Sequence, residues 1–144
     1  MIQRIQTIWL VLAALCFGLA FLPGWSLVDT AQPGKQLLED QRVMLLEHPV
    51  MIGGAALSIL CMLVGIGLFR NRTAQALVVG VGSIIQILGV VSFAMYLVFV
   101  QNLWQQMMPG FAAISGVIGA FFAWMANRAI RKDEQLLKSM DRLR

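Results

Sequence analysis

Four long apolar runs, at residues 5–28, 49–69, 73–100 and 110–127, alternate along the chain with polar connections. A helix needs about 17 to 25 apolar residues to cross a bilayer core about 30 Å thick, and each run is at least long enough. Only three residues separate the second run from the third, so those two helices must be antiparallel neighbours. The pattern predicts an all-α polytopic membrane protein, an antiparallel bundle of four transmembrane helices that forms a single domain over residues 1–144.

Positive charge is shared unevenly between the two sides of this bundle. Of the eleven Lys and Arg residues, nine fall near the chain ends or in the short turn, while Lys35 and Arg42 fall in the connection 29–48. Short loops rich in Lys and Arg stay in the cytoplasm. The charge pattern therefore predicts a protein of the cytoplasmic (inner) membrane, with the N- and C-termini inside and the loop 29–48 outside.

Composition points to lipid, rather than water, as the solvent. The chain is 59% hydrophobic and 12% charged, whereas about a quarter of the residues in soluble domains are charged. The pI near 9.7 is explained by the basic inner connections. No nucleic-acid partner is predicted.

The outer loop 29–48 contains a turn signal at Pro33-Gly34. Acidic and basic residues then alternate with apolar residues that recur at helical spacing. The apolar residues are Leu37, Leu38, Met44 and Leu45. The spacing predicts a short helix lying on the outer membrane surface. A lid over the bundle and a docking face for a partner remain alternatives.

Small residues follow two four-residue series along the fourth run. The candidate helix-packing face consists of Ala112, Ser115, Gly116, Gly119, Ala120 and Ala123. Small residues at this spacing let a neighbouring backbone approach closely. Packing within the bundle is the main interpretation, and contact between copies in a homo-oligomer is the alternative.

Gln86 is the one strongly polar side chain near the centre of a predicted span, and Ser83 lies one turn before it. An amide without partners in hydrocarbon is unfavourable by several kcal/mol, roughly 2–7. Gln86 is therefore predicted to face another helix or a water-filled cavity, and an interhelical hydrogen bond, in a network that Ser83 could share, is the main interpretation. A contact with a substrate or ion is the alternative for this candidate intramembrane polar pair.

The sequence contains no recognisable catalytic, cofactor-binding or metal-binding constellation. The four runs carry no ionisable Asp, Glu, Lys, Arg or His, although proton-coupled carriers generally place such a group in the membrane. Cys16 and Cys61 are single cysteines in separate runs, which argues against a disulfide oxidoreductase. Glu47 and His48 offer too few ligands for a metal site, but they are the acid–base candidates if the protein is an enzyme. The prediction is a non-enzymatic protein without a cofactor.

The tail 128–144 is predicted to continue the fourth helix into the cytoplasm as an amphipathic helix. It carries six bases and three acids, and Glu134 precedes Lys138 by the favourable four residues. Bases near the surface attract anionic lipid headgroups. Contact with a lipid bilayer rich in such headgroups is the first interpretation, and docking of a cytoplasmic protein is the second.

The chain ends carry motifs of their own: residues 1–8 read MIQRIQTI, and residues 126–134 read ANRAIRKDE and lead to DRLR at 141–144. Together with the short turn at 70–72, they resemble a family of small four-helix bacterial membrane proteins, catalogued as domain of unknown function 4293 and found mostly in Bacteroidota. The resemblance covers the full length. It implies a bacterial inner-membrane protein with four spans, and it brings no activity and no catalytic residues.

The resulting hypothesis is a non-enzymatic accessory or interaction subunit of a cytoplasmic-membrane assembly. Its partner would be another protein or a second copy of the chain. The candidate docking residues in the tail are Arg131, Lys132, Asp133, Glu134, Asp141 and Arg142. The alternative is a carrier or pore for a neutral or lipid-like small molecule, with Gln86, Ser83 and Tyr96 along an internal cavity.

Overall fold

The computed structural model describes residues 2–34 and 38–141, and it is mostly helical, as the sequence predicts. The described residues form four long helices: α1, Ile2–Gly18, which a 3-10 turn Leu19–Phe21 extends; α2, Pro49–Gly67; α3, Arg72–Val100; and α4, Phe111–Asp141. The helix α4 continues without a break past the fourth apolar run into the tail. This confirms the coarse prediction of a helical fold.

Three of these helices are long and apolar enough to cross a membrane. An 18-residue stretch within each has a mean hydropathy of 2.3 in α2, 2.2 in α3 and 1.3 in Phe111–Leu136 of α4. The first apolar helix, Ile5–Phe21, is shorter than the predicted span 5–28. It ends early because Pro23 follows and Gly24 adopts a φ of +84°, which turns the chain into a strand.

Large apolar side chains point outward along all four helices. Leu15 is 62% exposed, Leu77 64% and Leu88 65%. A soluble monomer rarely exposes apolar patches on this scale. The outer surface of the bundle is therefore suited to contact with lipid chains.

A small three-stranded sheet closes one end of the bundle, which we call the sheet end. Its strands are β1, Ser26–Thr30; β2, Arg42–Met44; and β3, Met107–Pro109. Both β2 and β3 pair antiparallel with β1, in the order β2-β1-β3. The all-α prediction did not include this sheet, to which both connections at this end of the bundle contribute strands.

The sheet replaces the surface helix predicted for the loop 29–48. Within the described part of this loop, Arg42–Met44 is a strand and Leu45–Glu47 a 3-10 turn. Leu38, Val43 and Leu45 are buried, while Leu37 lies outside the described residues. Pairing with β1 satisfies the backbone of Arg42–Met44. Val43 is therefore buried from a strand, and Leu45 from the turn that follows it.

The interior is closed by contacts between glycines and side chains of neighbouring helices. A methyl group at Gly119 would lie 2.7 Å from the Phe17 ring, and one at Gly65 would lie 2.9 Å from Val79 Cγ2. The same holds at Gly82, where the Cβ would lie 2.6 Å from Cys61 Cβ. Small residues therefore allow α1 to approach α4, and α2 to approach α3, at short distance.

The middle of α3 is not α-helical. Residues Ile85–Val91 form a π-helical segment, after which the α-helix resumes at Ser92. The Ser92 hydroxyl donates a hydrogen bond of 3.1 Å to the Ile87 carbonyl. The helix is therefore widened at its centre, where Gln86 lies.

Substitution of Gly82 tests the close approach of α2 and α3. In Gly82→Ala the new methyl would overlap Cys61 Cβ, and the Ser58 carbonyl oxygen at 3.3 Å leaves little room for a shift. We expect a loss of about 1–3 kcal/mol in stability, as for other overpacked cores, measured as thermal unfolding in detergent. Gly53→Ala in α2 is the control, because its methyl would meet nothing within 4 Å. Equal stability of the two variants would contradict the packing described here.

Candidate functional site

A polar cluster joins three helices at the end of the bundle opposite the sheet. Asp133 of α4 is only 6% exposed. Its Oδ2 accepts hydrogen bonds of 2.5 Å from Gln6 Nε2 of α1 and from Arg72 Nη1 at the start of α3. We call Gln6, Arg72 and Asp133 the polar clamp, and this end of the bundle the clamp end. Because both side chains are little exposed, removing one partner of this ion pair costs more than removing one partner of a surface pair.

Local sequence places each member of the clamp. On α4, Asp133 follows the buried Ala126 and Ile130 at helical spacing, and on α1, Gln6 precedes the buried Leu10 by one turn. The α3 helix begins at Arg72 because Asn71 Oδ1 accepts the Ala74 N–H at 3.1 Å and caps it. Both Gln6 and Asp133 therefore lie on the core-facing sides of their helices.

Further polar contacts connect α3 to α4 beside the clamp. Thr73 Oγ1 donates to Glu134 Oε1 at 3.0 Å, and Asn127 Nδ2 donates to the Ala76 carbonyl at 3.1 Å. The side chains of these two helices are thus held in a fixed relation at the clamp end.

The opposite side of α4 presents exposed basic residues. A surface cavity of about 700 Å³ is lined by Trp124, Asn127, Arg128, Arg131, Lys132 and Gln135, which we call the basic face. The Arg128 guanidinium carbon lies 5.7 Å from the centre of the Trp124 ring, a cation–π distance. Arg131 Nε donates to Asn127 Oδ1 at 3.2 Å. Two of its three cations therefore have contacts that orient them.

The structure divides the candidate docking residues into two groups. Asp133 is held in the clamp and Glu134 bonds to Thr73, while Arg131 and Lys132 are exposed. The side chain of Asp141 and the whole of Arg142 lie outside the described residues. The geometry thus leaves the two cations, but not Asp133, open to a partner.

Gln86 and Ser83 do not share a hydrogen-bond network. Ser83 Oγ donates to the Val79 carbonyl of its own helix at 2.9 Å. Gln86 is fully buried, and neither its amide nitrogen nor its amide oxygen has a hydrogen-bond partner among the described residues. The expected interhelical bond does not form, since α4 presents Gly116, which has no side chain, to this amide.

The candidate packing face of α4 lies on the inward side of the helix. Its residues are all buried except Ala120, which is half-buried: Ala112, Ser115, Gly116, Gly119, Ala120 and Ala123. Gly116 faces α3, and Gly119 faces α1. These residues are occupied by contacts within the chain.

Glu47 and His48 both have structural roles at the start of α2. His48 Nδ1 accepts the Val50 N–H at 3.3 Å, and its ring lies 4.9 Å from that of Phe93. Glu47 Oε2 accepts the Met44 N–H at 3.0 Å. Capping, the ordinary role of such residues at a helix N-terminus, therefore occupies the two acid–base candidates.

Sequence reasoning did not identify Gln6 and Arg72 as site residues. Arg72 entered only as one of the bases that set orientation, and Gln6 lies near the start of an apolar run. A signal for Gln6 does exist, because it lies four residues before Leu10, on the side of α1 that is buried. For Arg72 no local signal exists, since its partner is 61 residues away.

Comparison with known proteins gives one family. The family model described as a domain of unknown function, DUF4293, matches residues 2–143, and this confirms the resemblance of the chain ends. No curated protein and no solved structure matches the chain at a significant level.

The clamp generates a prediction about Asp133. Asp133→Asn removes the negative charge that Arg72 meets, and removing one partner of a buried pair costs roughly 3–5 kcal/mol. We expect the lower end of that range, because the Arg72 side chain is 23% exposed. Thermal unfolding of the purified protein measures the loss. Asp40→Asn is the matched control, since Asp40 is exposed at the sheet end; similar unfolding temperatures for the two variants would argue against a stabilising clamp.

Two buried glutamines of α3 allow a second test. Gln75 Nε2 donates to the Gly65 carbonyl at 2.8 Å, whereas neither polar atom of Gln86 has a partner in the described part of the chain. Because burying an unpaired amide costs about 1–3 kcal/mol, Gln86→Met should stabilise the fold or leave it unchanged. Gln75→Met should destabilise it by about 1 kcal/mol. Chemical or thermal unfolding in the same detergent compares the two, and a loss in Gln86→Met as large as in Gln75→Met would show that Gln86 has a partner within the fold.

Proposed function

We propose, starting from the finding that the chain belongs to the DUF4293 family of unknown function, that it is a non-enzymatic accessory subunit of an assembly in the bacterial cytoplasmic membrane. In this proposal the bundle sits in the bilayer with both chain ends inside. The basic face of α4 contacts a partner at the cytoplasmic membrane surface. The observation that carries the proposal is the separation of the tail into an inward clamp and an outward basic face.

The clamp supports this role because it fixes the direction in which α4 leaves the bundle. Asp133 ties α4 to α1 and α3 at once. A helix held in this way presents its outer side chains in a defined arrangement, so that little conformational entropy is lost on binding. The basic face can therefore recognise a partner with preorganised cations.

The charge of the basic face indicates the chemistry of its partner. Arg128, Arg131 and Lys132 are exposed, while the nearby Asp133 pairs with Arg72 and Glu134 accepts a hydrogen bond from Thr73. Such a surface favours an acidic segment of a protein partner. Anionic headgroups of the inner leaflet would contact the same basic face.

The uneven distribution of bases supports the orientation. Nine of eleven Lys and Arg residues lie towards the clamp end or in the tail, and two lie in the loop 29–48. By the positive-inside rule, the clamp end faces the cytoplasm. The sheet, with Asp40 and Glu39 exposed, then faces the other side of the membrane.

A carrier of neutral or lipid-like molecules is the second candidate, favoured by the unpartnered amide of Gln86. Two observations weigh against an internal pathway through Gln86, Ser83 and Tyr96. Ser83 bonds to its own helix, and Tyr96 is 57% exposed on the outer surface of α3. The accessory role is therefore the better supported of the two.

Purification from native membranes tests the accessory role. A tagged chain in mild detergent should bring down a partner, identified by mass spectrometry. Arg131→Gln should lower recovery of that partner about tenfold, which corresponds to about 1.4 kcal/mol, because a cation of the docking surface is removed. Lys132→Gln should act in the same direction.

Arg70→Gln is the matched control for that experiment. It removes one exposed positive charge from the same end of the bundle, where Arg70 lies 6.0 Å from the Phe69 ring and not on the basic face. Recovery of the partner should then stay at the wild-type level. Repeated recovery of the chain alone, or equal loss in Arg70→Gln and Arg131→Gln, would contradict the proposal.

A further inference from the structure

The strongest unexplained feature of the molecule is the amide of Gln86. Its side chain is fully buried, and both of its polar atoms lack a hydrogen-bond partner among the described residues. Gln75, eleven positions earlier on the same helix, is almost as buried and bonds to a carbonyl of α2. One polar atom of Gln75, its Nε2, therefore has a partner although its Oε1 has none among the described residues, whereas both polar atoms of Gln86 are open.

The backbone around Gln86 is also unusual. Gln86 is the second residue of the π-helical segment Ile85–Val91, and π-segments inside α-helices occur frequently at functional sites. The segment shifts the register of the side chains that follow it, because each π turn contains more residues than an α turn. Val91, its last residue, is thereby placed beside the same glycine of α4 that Gln86 faces.

That glycine, Gly116, links Gln86 to a groove on the outside of the bundle. A Cβ at Gly116 would lie 3.3 Å from Gln86 Nε2 and 3.6 Å from Val91 Cγ2. Val91 in turn lines a groove of about 430 Å³ between α3, α4 and the sheet. Val91 therefore lines this groove and also lies beside the glycine that the Gln86 amide faces.

The groove is suited to an apolar molecule that arrives from the bilayer. Its lining is entirely apolar and comes from both helices and from two strands: Leu27, Val28, Val91, Met95, Met107, Pro109, Ala113, Ile114, Val117 and Ile118. Several of these side chains, such as Ile114 and Val117, are about half exposed on the lipid-facing surface. The opening therefore faces lipid chains.

We propose that this groove binds a neutral lipid whose hydroxyl or carbonyl group reaches the Gln86 amide when Val91 turns aside. The apolar lining accommodates the hydrocarbon part, and the amide can donate to a carbonyl or hydroxyl oxygen and accept from a hydroxyl. A charged headgroup is excluded, because the groove offers no counter-charge and desolvating an ion is too costly. The site lies away from the basic face and does not depend on it.

Photo-crosslinking of the full-length protein in nanodiscs tests this site. The two probes are a long-chain alcohol and the matching alkane, each with a diazirine at the same position of the chain. In the wild-type protein the alcohol should label the groove segments of α3 and α4 about fivefold more than the alkane, as expected for one net hydrogen bond. Peptide mass spectrometry locates the labelled residues.

Gln86→Met separates the hydrogen bond from the apolar fit. It keeps a side chain of similar shape and should retain the fold, since the amide has no partner there. The preference for the alcohol should fall to about one, while labelling by the alkane stays unchanged. Val91→Trp, which fills the groove, should reduce labelling by both probes.

Three results would overturn the proposal. One is equal labelling of the wild-type groove by the two probes. Another is a preference for the alcohol that survives in Gln86→Met. The third is undiminished labelling of the groove segments in Val91→Trp. Because none of these substitutions touches the basic face, the pull-down of a protein partner can succeed or fail independently.

Discussion

Hydrocarbon offers no hydrogen-bond partners, and this constraint governs where polar groups occur in the molecule. Backbone groups in a bilayer must pair within helices or closed strands. The chain obeys this along its four helices and places its non-helical backbone at the ends. At one end β2 and β3 pair with β1. At the other, side chains such as Thr73 and Asn127 bond between α3 and α4.

The clamp connects the two segments of sequence that carry the resemblance to the family. Gln6 lies in the opening motif and Asp133 in the closing motif, 127 positions later, and their side chains meet. Arg72, in the short turn, completes the contact. The order of residues around Asp133 therefore has a structural consequence beyond the positive-inside rule, because a charge at position 133 faces inward and charges at 131 and 132 face outward. The turn and both chain ends form one unit.

Much of this fold could be predicted from local pattern, because the length of an apolar run is itself the physical requirement for a span. The helices α2, α3 and α4 follow the runs 49–69, 73–100 and 110–127 closely. The sheet could not be predicted, since Leu38, Met44 and Leu45 fit a helical spacing while Val43 and Leu45, two positions apart, fit a strand. Only the pairing of Val43 with Val28 decides between them. The contact between Asp133 and Arg72 could not be predicted either, because their charges are evident from the sequence but the helix faces that meet are not.

Gln75 and Gln86 show how the constraint can be partly met or left unmet on one helix, since Gln75 Nε2 has a partner and its Oε1 has none among the described residues. Both are buried on α3, but Gln75 faces the Gly65 carbonyl of α2, whereas Gln86 faces Gly116 of α4. A glycine on the neighbouring helix is a favourable partner for packing, because it lets the backbones approach, and an unfavourable one for a polar side chain, because it offers no side-chain acceptor. At Gly65 the free carbonyl resolves this conflict, and at Gly116 nothing among the described residues does. The unsatisfied amide therefore lies in the π-helical segment, beside the same glycine as Val91, which lines the lipid-facing groove. The proposed neutral lipid would give this amide the hydrogen-bond partner that the described part of the fold does not.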